Sequence, residues 1–184
     1  MIWNHPSVPS LLPAAIETAR LRLRPLVRED AAPLNVIQSD PVHMRFYPHP
    51  FSMEESRDWI RRMRERYEEI GFALLAVEDR ATGEFLGNVG PHVQHVDDVD
   101  EVELGWSITP TRARQGIATE AAAACRDWVF ATLDTDHVIS LILPENEPSR
   151  GVAEHLGMVV WKDVLWGSQQ PRLHHVYRLD KPEA

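Results

Sequence analysis

From Phe72 to Thr132 the apolar pattern changes period in a set order, and that order restricts the fold more than any other feature of the chain. Phe72 to Val77 is a continuous apolar run, as expected of a strand buried on both faces. Asp79-Arg80-Ala81-Thr82-Gly83 turns the chain into a second strand, from Glu84 to about His95. Asp97 and Asp98 make the next turn, and Glu101 to Ile108 forms a third strand. In it Val102, Leu104, Trp106 and Ile108 alternate with Glu101, Glu103, Gly105 and Ser107. Pro110 ends this strand. The period then becomes helical from Gly116 to about Thr132, with Ile117, Ala121, Ala124 and Trp128 at helical spacing. Tight turns join antiparallel strands, whereas a helix of this length carries the chain across a sheet.

The flanking segments extend the pattern. Arg20 to Leu26 alternates Leu21 and Leu23 against arginines, as a half-buried strand does. Asp30 to Gln38 reads as a short helix with Leu34 and Ile37 inward. Ser52 and Glu55 form a capping box ahead of a longer helix striped by Trp59, Ile60, Met63 and Tyr67 and stopped by Gly71. His137 to Leu143 is another apolar strand. Asn146 and Pro148 open a short helix that Gly157 closes. Strands near Met158 to Val164 and Leu173 to Leu179 complete the order β-α-α-β-β-β-α-β-α-β-β. Hairpins followed by crossovers imply a mixed sheet covered by helices, an α/β (α+β) class. Residues 1–17 hold Pro6, Pro9 and Pro13 without a period and read as an N-terminal arm, which Trp3 and Ile16 could pin.

Composition narrows the function. With 184 residues, 43% of them hydrophobic, the chain suits one domain with a sizeable core. A formal net charge of −9 disfavours nucleic acid as the main partner and suits a cationic substrate such as an amine. Cys125, the lone cysteine, lies in an alanine-rich stretch without a polar activator and reads as a core residue. No signal-peptide pattern is present, and no apolar run approaches the ~20 residues of a membrane helix, so the cytoplasm is expected.

The chemistry concentrates in Leu104 to Ala122, LGWSITPTRARQGIATEAA, where a strand enters a loop that opens directly into a helix. A helix N-terminus offers unpaired N–H groups and a positive dipole end, to which a pyrophosphate can dock if no side chain blocks it. Gly116 and Ala118 are small, and Arg112 and Arg114 add positive charge.

This stretch resembles the acetyl-CoA-binding motif of the GNAT acetyltransferases, whose loop reads Gln/Arg-x-x-Gly-x-Gly/Ala. Gly116 and Ala118 match its last two positions; its first is Ala113, a departure. The resemblance covers about residues 17–180 and is strongest for the RimJ/RimL-like branch. Glu17-Thr18-Ala19-Arg20-Leu21-Arg22-Leu23-Arg24, Asp30, Thr82-Gly83-Glu84-Phe85-Leu86-Gly87, Val102-Glu103-Leu104-Gly105-Trp106, and Asn146, Ser149 and His155-Leu156-Gly157-Met158 carry it in order.

The resemblance implies a mostly antiparallel seven-stranded sheet, splayed in the middle and flanked by about four helices. It implies residues 18–184 as the acetyltransferase domain, with acetyl-CoA as acyl donor. The donor would contact Arg112, Arg114, Gln115, Gly116, Ile117, Ala118 and Thr119 in the loop, with Trp106, Ile108, Asn146 and Ser149 along its pantetheine arm. Glu103 is the implied base and Glu101, on the same face by alternation, its reserve. The tyrosine acid common in this family would fall at Ala153, so Ser149 is the implied support for the leaving thiolate. Phe46, Tyr47 and Trp166 are the implied acceptor contacts, in the segments His43 to Phe51 and Lys162 to Pro171. The implied acceptor is a primary amine, whether a protein N-terminus or a small molecule, and a homodimer stays open as an assembly.

Nine histidines invite a metal, but His92 and His95 face opposite sides of a strand, as do His174 and His175, and no metal motif accompanies them. No metal is expected, while a histidine as base or substrate contact stays open. Two rival readings remain: a non-catalytic acyl-CoA-binding or regulatory module, and an acyltransferase using another donor such as succinyl-CoA.

Overall fold

A computed structural model describes residues 15–167 and 170–183 of the chain. Trp3, Pro6, Pro9 and Pro13 of the expected arm lie outside the described residues, as do Ser168 and Gln169 of the expected acceptor loop. The order is β1 (Ile16–Glu17), β2 (Leu21–Pro25), α1 (Ala31–Gln38), α2 (Met53–Ile70), β3 (Leu75–Asp79), β4 (Phe85–Val96), β5 (Val99–Ile108), α3 (Ile117–Thr132), β6 (His137–Ile142), α4 (Glu147–His155), β7 (Val159–Trp166) and β8 (Arg172–Asp180). One sheet takes the spatial order β1-β2-β3-β4-β5-β6-β8-β7. All neighbours are antiparallel except β5 and β6.

The sheet has eight strands where seven are expected. The extra one, β1, is two residues long and pairs Ile16 with Leu23 and Glu17 with Arg22. So short a segment has no period to read. The apolar run Phe72 to Val77 is also only partly strand: pairing begins at Leu75, although Phe72 and Ala73 are fully buried. They owe their apolarity to packing, Phe72 against Trp128 with ring centroids 6.4 Å apart.

The capping box forms as expected. Ser52 Oγ accepts from Glu55 N, and the Glu55 carboxylate accepts from Ser52 N. Gly71 ends α2 with φ 84°, a left-handed conformation that glycine adopts at little cost. Asp97 and Asp98 also take positive φ, 48° and 64°, which suits the two-residue turn between β4 and β5. That turn pairs Val96 with Val99 and fixes the register of the whole hairpin.

The sheet buries both faces in different places. On one, Val102 and Leu104 of β5 pack with Ile117, Ala121, Ala122, Cys125 and Val129 of α3 and with Ala153 of α4. Ala124 and Trp128, expected on the α3 stripe, are half-buried beside it. On the other face α1 and α2 cover β2 and β3 through Leu26, Leu34, Ile60, Met63, Leu74 and Ala76. Further along that face Val96, Ile139, Val164 and Val176 form a smaller cluster.

Candidate active site

The β5–α3 loop leaves the N-terminus of α3 uncapped. Arg114 and Gly116 both take left-handed φ, 61° and 75°, and turn the chain sharply into α3. No side chain caps α3, whereas α2 and α4 are capped by Ser52 and Asn146. The first N–H groups of α3, at Ile117, Ala118 and Thr119, therefore have no intrahelical acceptor. They face a cleft lined by Ile108, Arg112, Ala113, Arg114, Gly116, Ile117, Ala118, Thr119 and Val152. A Cβ on Gly116 would meet only Arg20 Nη2, at 3.6 Å, so φ rather than space requires the glycine. The two arginines differ. Arg112 is paired with Glu84, while Arg114 has no partner among the described residues. Gln115 is exposed, and its carbonyl accepts from Arg20 Nη1 at 2.9 Å. Arg20 also meets Glu120 at 2.6 Å, which braces the first turn of α3 against the chain before β2.

Next to this loop the sheet opens. β5 and β6 register at one pair only, Glu103 with Ile139. Residues 101–104 of β5 are buried, whereas Gly105, Trp106, Ser107 and Ile108 are half-buried, so exposure rises where the strands part. Side chains staple the junction. Ser140 Oγ donates to Leu104 O at 2.7 Å, Leu141 N donates to Glu103 Oε1 at 2.9 Å, and His137 Nε2 bonds Glu101 Oε2 at 2.8 Å.

Glu103 thus stands at the point of opening, 8% exposed, with Oε2 3.1 Å from His92 Nε2. Glu101 is equally buried but lies one pleat back toward the closed end, in a chain with His137 and Asp136. Alternation places both acids on one face, as expected, but the face is covered there rather than open to solvent.

Across the opening, Asn146 Oδ1 accepts from Ser149 N at 3.3 Å and so caps α4. The Ser149 hydroxyl makes no hydrogen bond among the described residues, and the Asn146 amide group donates to none. Ala153, where the family tyrosine would fall, is fully buried in the core.

The segment expected to contact an acceptor lies on the Glu103 face. A 3-10 turn, His43–Phe46, brings His43 Nε2 to 2.8 Å from Ser107 Oγ. Burial pushes the His43 pKa down. Tyr47 is half exposed. Burial, and then the field of Glu103, push its pKa up. Arg172 Nη1 donates to Phe46 O at 3.3 Å and ties this turn to β8. Trp166 stacks edge-on against His174 at 5.5 Å. Among the described residues no three His, Cys, Asp or Glu side chains group as a metal site.

Residues 20–159 match the family model of the acetyltransferase (GNAT) domain. The chain belongs to the GNAT acetyltransferases. It is 33% identical over 142 residues to the uncharacterized protein YkkB of Bacillus subtilis, covering 77% of this chain and 83% of that one. An acetyltransferase structure from Agrobacterium tumefaciens shares 27% identity and superposes with a TM-score of 0.75, covering 96% and 97% of the two chains. RimL, a ribosomal L7/L12 alpha-N-protein acetyltransferase solved with coenzyme A, superposes with a TM-score of 0.69 at 14% identity, covering 90% and 97%. At that identity the likeness is one of fold.

This GNAT member is therefore an acyl-CoA-dependent N-acetyltransferase. The strand–loop–helix course from β5 into α3 is legible in the sequence. His92 was not singled out as a partner of Glu103, although the Asp97–Asp98 turn carries the signal: counting back from Val96 and forward from Val99 sets His92 opposite Glu103.

Proposed function

We propose that the enzyme transfers acetyl from acetyl-CoA to a primary amine, a protein N-terminus or a small-molecule amine, by direct attack. The observation that carries this reading is the buried Glu103 carboxylate held at the opening of the β5–β6 junction. The donor supplies an activated thioester and a thiolate leaving group. The Ile117, Ala118 and Thr119 amides and the unpaired Arg114 hold its pyrophosphate, with Gly116 leaving the approach clear. Gln115 and Arg112 shape the loop. Trp106, Ile108 and Asn146 line the arm along the gap.

The sheet separates the two substrates. α3 and α4 pack on the face of Val102 and Leu104, and Glu103 points to the other. The donor thus enters from the side of α3 and α4 and the amine from the side of Phe46, Tyr47 and Trp166. A lysine-like amine has a pKa of ~10.4 and must lose a proton before it can attack. Glu103 takes that proton through water. Ser149, whose hydroxyl has no protein partner, supports the departing sulfur. Residues 18–184 form the acetyltransferase domain and residues 1–17 lead into it. A cytoplasmic location goes with this reading.

Free-thiol release tests it, with acetyl-CoA and succinyl-CoA offered against a panel of amines. A peptide N-terminus comes first because the fold is shared with an alpha-N-protein acetyltransferase. Amine-dependent release from acetyl-CoA is expected. CoA binding without release on any amine would favour the non-catalytic module, and a preference for succinyl-CoA would change the donor.

A further inference from the structure

Asn88 of β4 has no part in the reading above, yet it stands across the ladder from Ser107 of β5, so the two side chains share one face of the sheet. That is the face the His43 turn covers, since His43 Nε2 lies 2.8 Å from Ser107 Oγ. Ala76, the neighbour of Asn88 on β3, belongs to the cluster under α1 and α2 on the same face. Ser107 is half-buried, in the part of β5 where the sheet opens. Asn88 is 3% exposed, and its side-chain amide makes no hydrogen bond among the described residues. The Oδ1 end of that amide is fully enclosed. A buried carbonyl oxygen without a donor costs stability, and nearly all such oxygens in folded proteins are paired.

The surroundings of this amide suit a neutral ligand group. Burial pushes His43 toward its uncharged form. The charged groups of the turn are engaged. Asp40 Oδ1 accepts from Val42 N at 2.7 Å and from His43 N at 3.3 Å. Arg45 donates to Val42 O at 2.7 Å and lies 4.3 Å from the centre of the Phe46 ring. Arg172 is paired with Glu145. An orphaned acceptor oxygen in such a place calls for a neutral donor, and a carboxylate has none to give. A half-turn about the last torsion of the asparagine exchanges its two ends. It breaks no hydrogen bond, because neither end has a partner among the described residues. We propose that Asn88 is a specificity-determining residue of the acceptor site: its carbonyl oxygen accepts the N–H of an amide carried beside the reacting amine, the group that follows the amine in a peptide. The inference rests on the acetyl-transfer reading above. A free amino acid, an amino ester and a plain amine all lack this donor and leave Asn88 unpaired. A site that pairs a substrate N–H discriminates against analogues without one.

Alanine N-methylamide and alanine methyl ester differ only in carrying N–H or O next to the carbonyl, and their amines are of similar basicity. Free-thiol release from acetyl-CoA compares them. Wild-type enzyme should favour the amide by roughly tenfold in kcat/KM, about what one hydrogen bond to a buried group contributes. In Asn88→Leu, which keeps the bulk and removes the amide, the preference should disappear. That variant should melt no lower than wild type, since no hydrogen bond within the protein is lost. A merely structural asparagine would slow both acceptors together and leave their ratio unchanged, and that result overturns the proposal. So does equal use of the two acceptors by wild type. A second measurement needs no variant. The side-chain amide signals of Asn88, traced by NMR from its own backbone in nitrogen-labelled wild type with CoA bound, should shift on adding the N-methylamide and not on adding the ester. Equal shifts, or none, contradict the proposal even if Asn88→Leu fails to fold. Release with neither acceptor nor any other amine fails the acetyl-transfer reading, and this inference with it. Release with both acceptors and no preference fails this inference alone.

Discussion

Substituting Gly116 by tryptophan closes the α3 anion site while leaving the sheet intact. Gly116 has φ 75°, where an L residue costs roughly 1–2 kcal/mol. The nearest atom to an added Cβ is 3.6 Å away, so steric strain adds little. A domain stable by roughly 5–15 kcal/mol tolerates that loss. The indole is expected to crowd the cleft that Gly116 lines together with Arg114 and residues 117–119. Hydrogen bonds to charged groups contribute about 1.5–3 kcal/mol each. Losing two of them weakens CoA binding by about 3–6 kcal/mol, roughly 10²–10⁴-fold. Calorimetric titration with CoA measures this, and a thermal melt establishes that the variant is folded. Gly116→Ala is the control: it carries the same backbone strain but only a methyl group, and it should keep most of the affinity. A folded Gly116→Trp enzyme that binds CoA as tightly as wild type would refute the assignment of this loop.

Ser149→Ala should lower turnover by roughly 10², the lower end of general acid–base effects, while CoA affinity moves little; steady-state kinetics with calorimetry separates the two. Arg114→Ala should weaken CoA by about 1.5–3 kcal/mol, and Arg112→Ala by clearly less because Glu84 already neutralises that guanidinium; parallel titrations of the two variants show the ranking. Arg24→Ala should cost about 3–5 kcal/mol in urea unfolding, since it leaves the 4% exposed Asp30 without its paired charge.

Much of this architecture is written in local patterns. The Ser52–Glu55 box, the Asp97–Asp98 turn and the Asn146–Pro148 helix start each act within four residues, so the sequence shows them directly. The β5–α3 loop is legible for the same reason: small residues stand where a helix begins without a cap. What the sequence hides is made by distant segments. Alternation sets Glu101 and Glu103 apart from the apolar side of β5, but their partners, His137, Leu141 and His92, come from β6 and β4. Arg112 reads as a free cation until Glu84, twenty-eight positions away, is brought beside it. The two-residue β1 exists only because β2 offers it an edge. Phe72 and Ala73 have the composition of a strand and the burial of one, yet β3 begins only at Leu75.

The central claim is that Glu103 accepts the amine proton during acetyl transfer. The pH dependence of amine-dependent thiol release by Glu103→Gln, beside wild type and Glu101→Gln, tests it most directly. The account predicts that Glu103→Gln needs higher pH to reach the wild-type rate, with CoA affinity unchanged, while Glu101→Gln keeps the wild-type profile. A wild-type profile in Glu103→Gln, with the change appearing in Glu101→Gln or in neither variant, would contradict it.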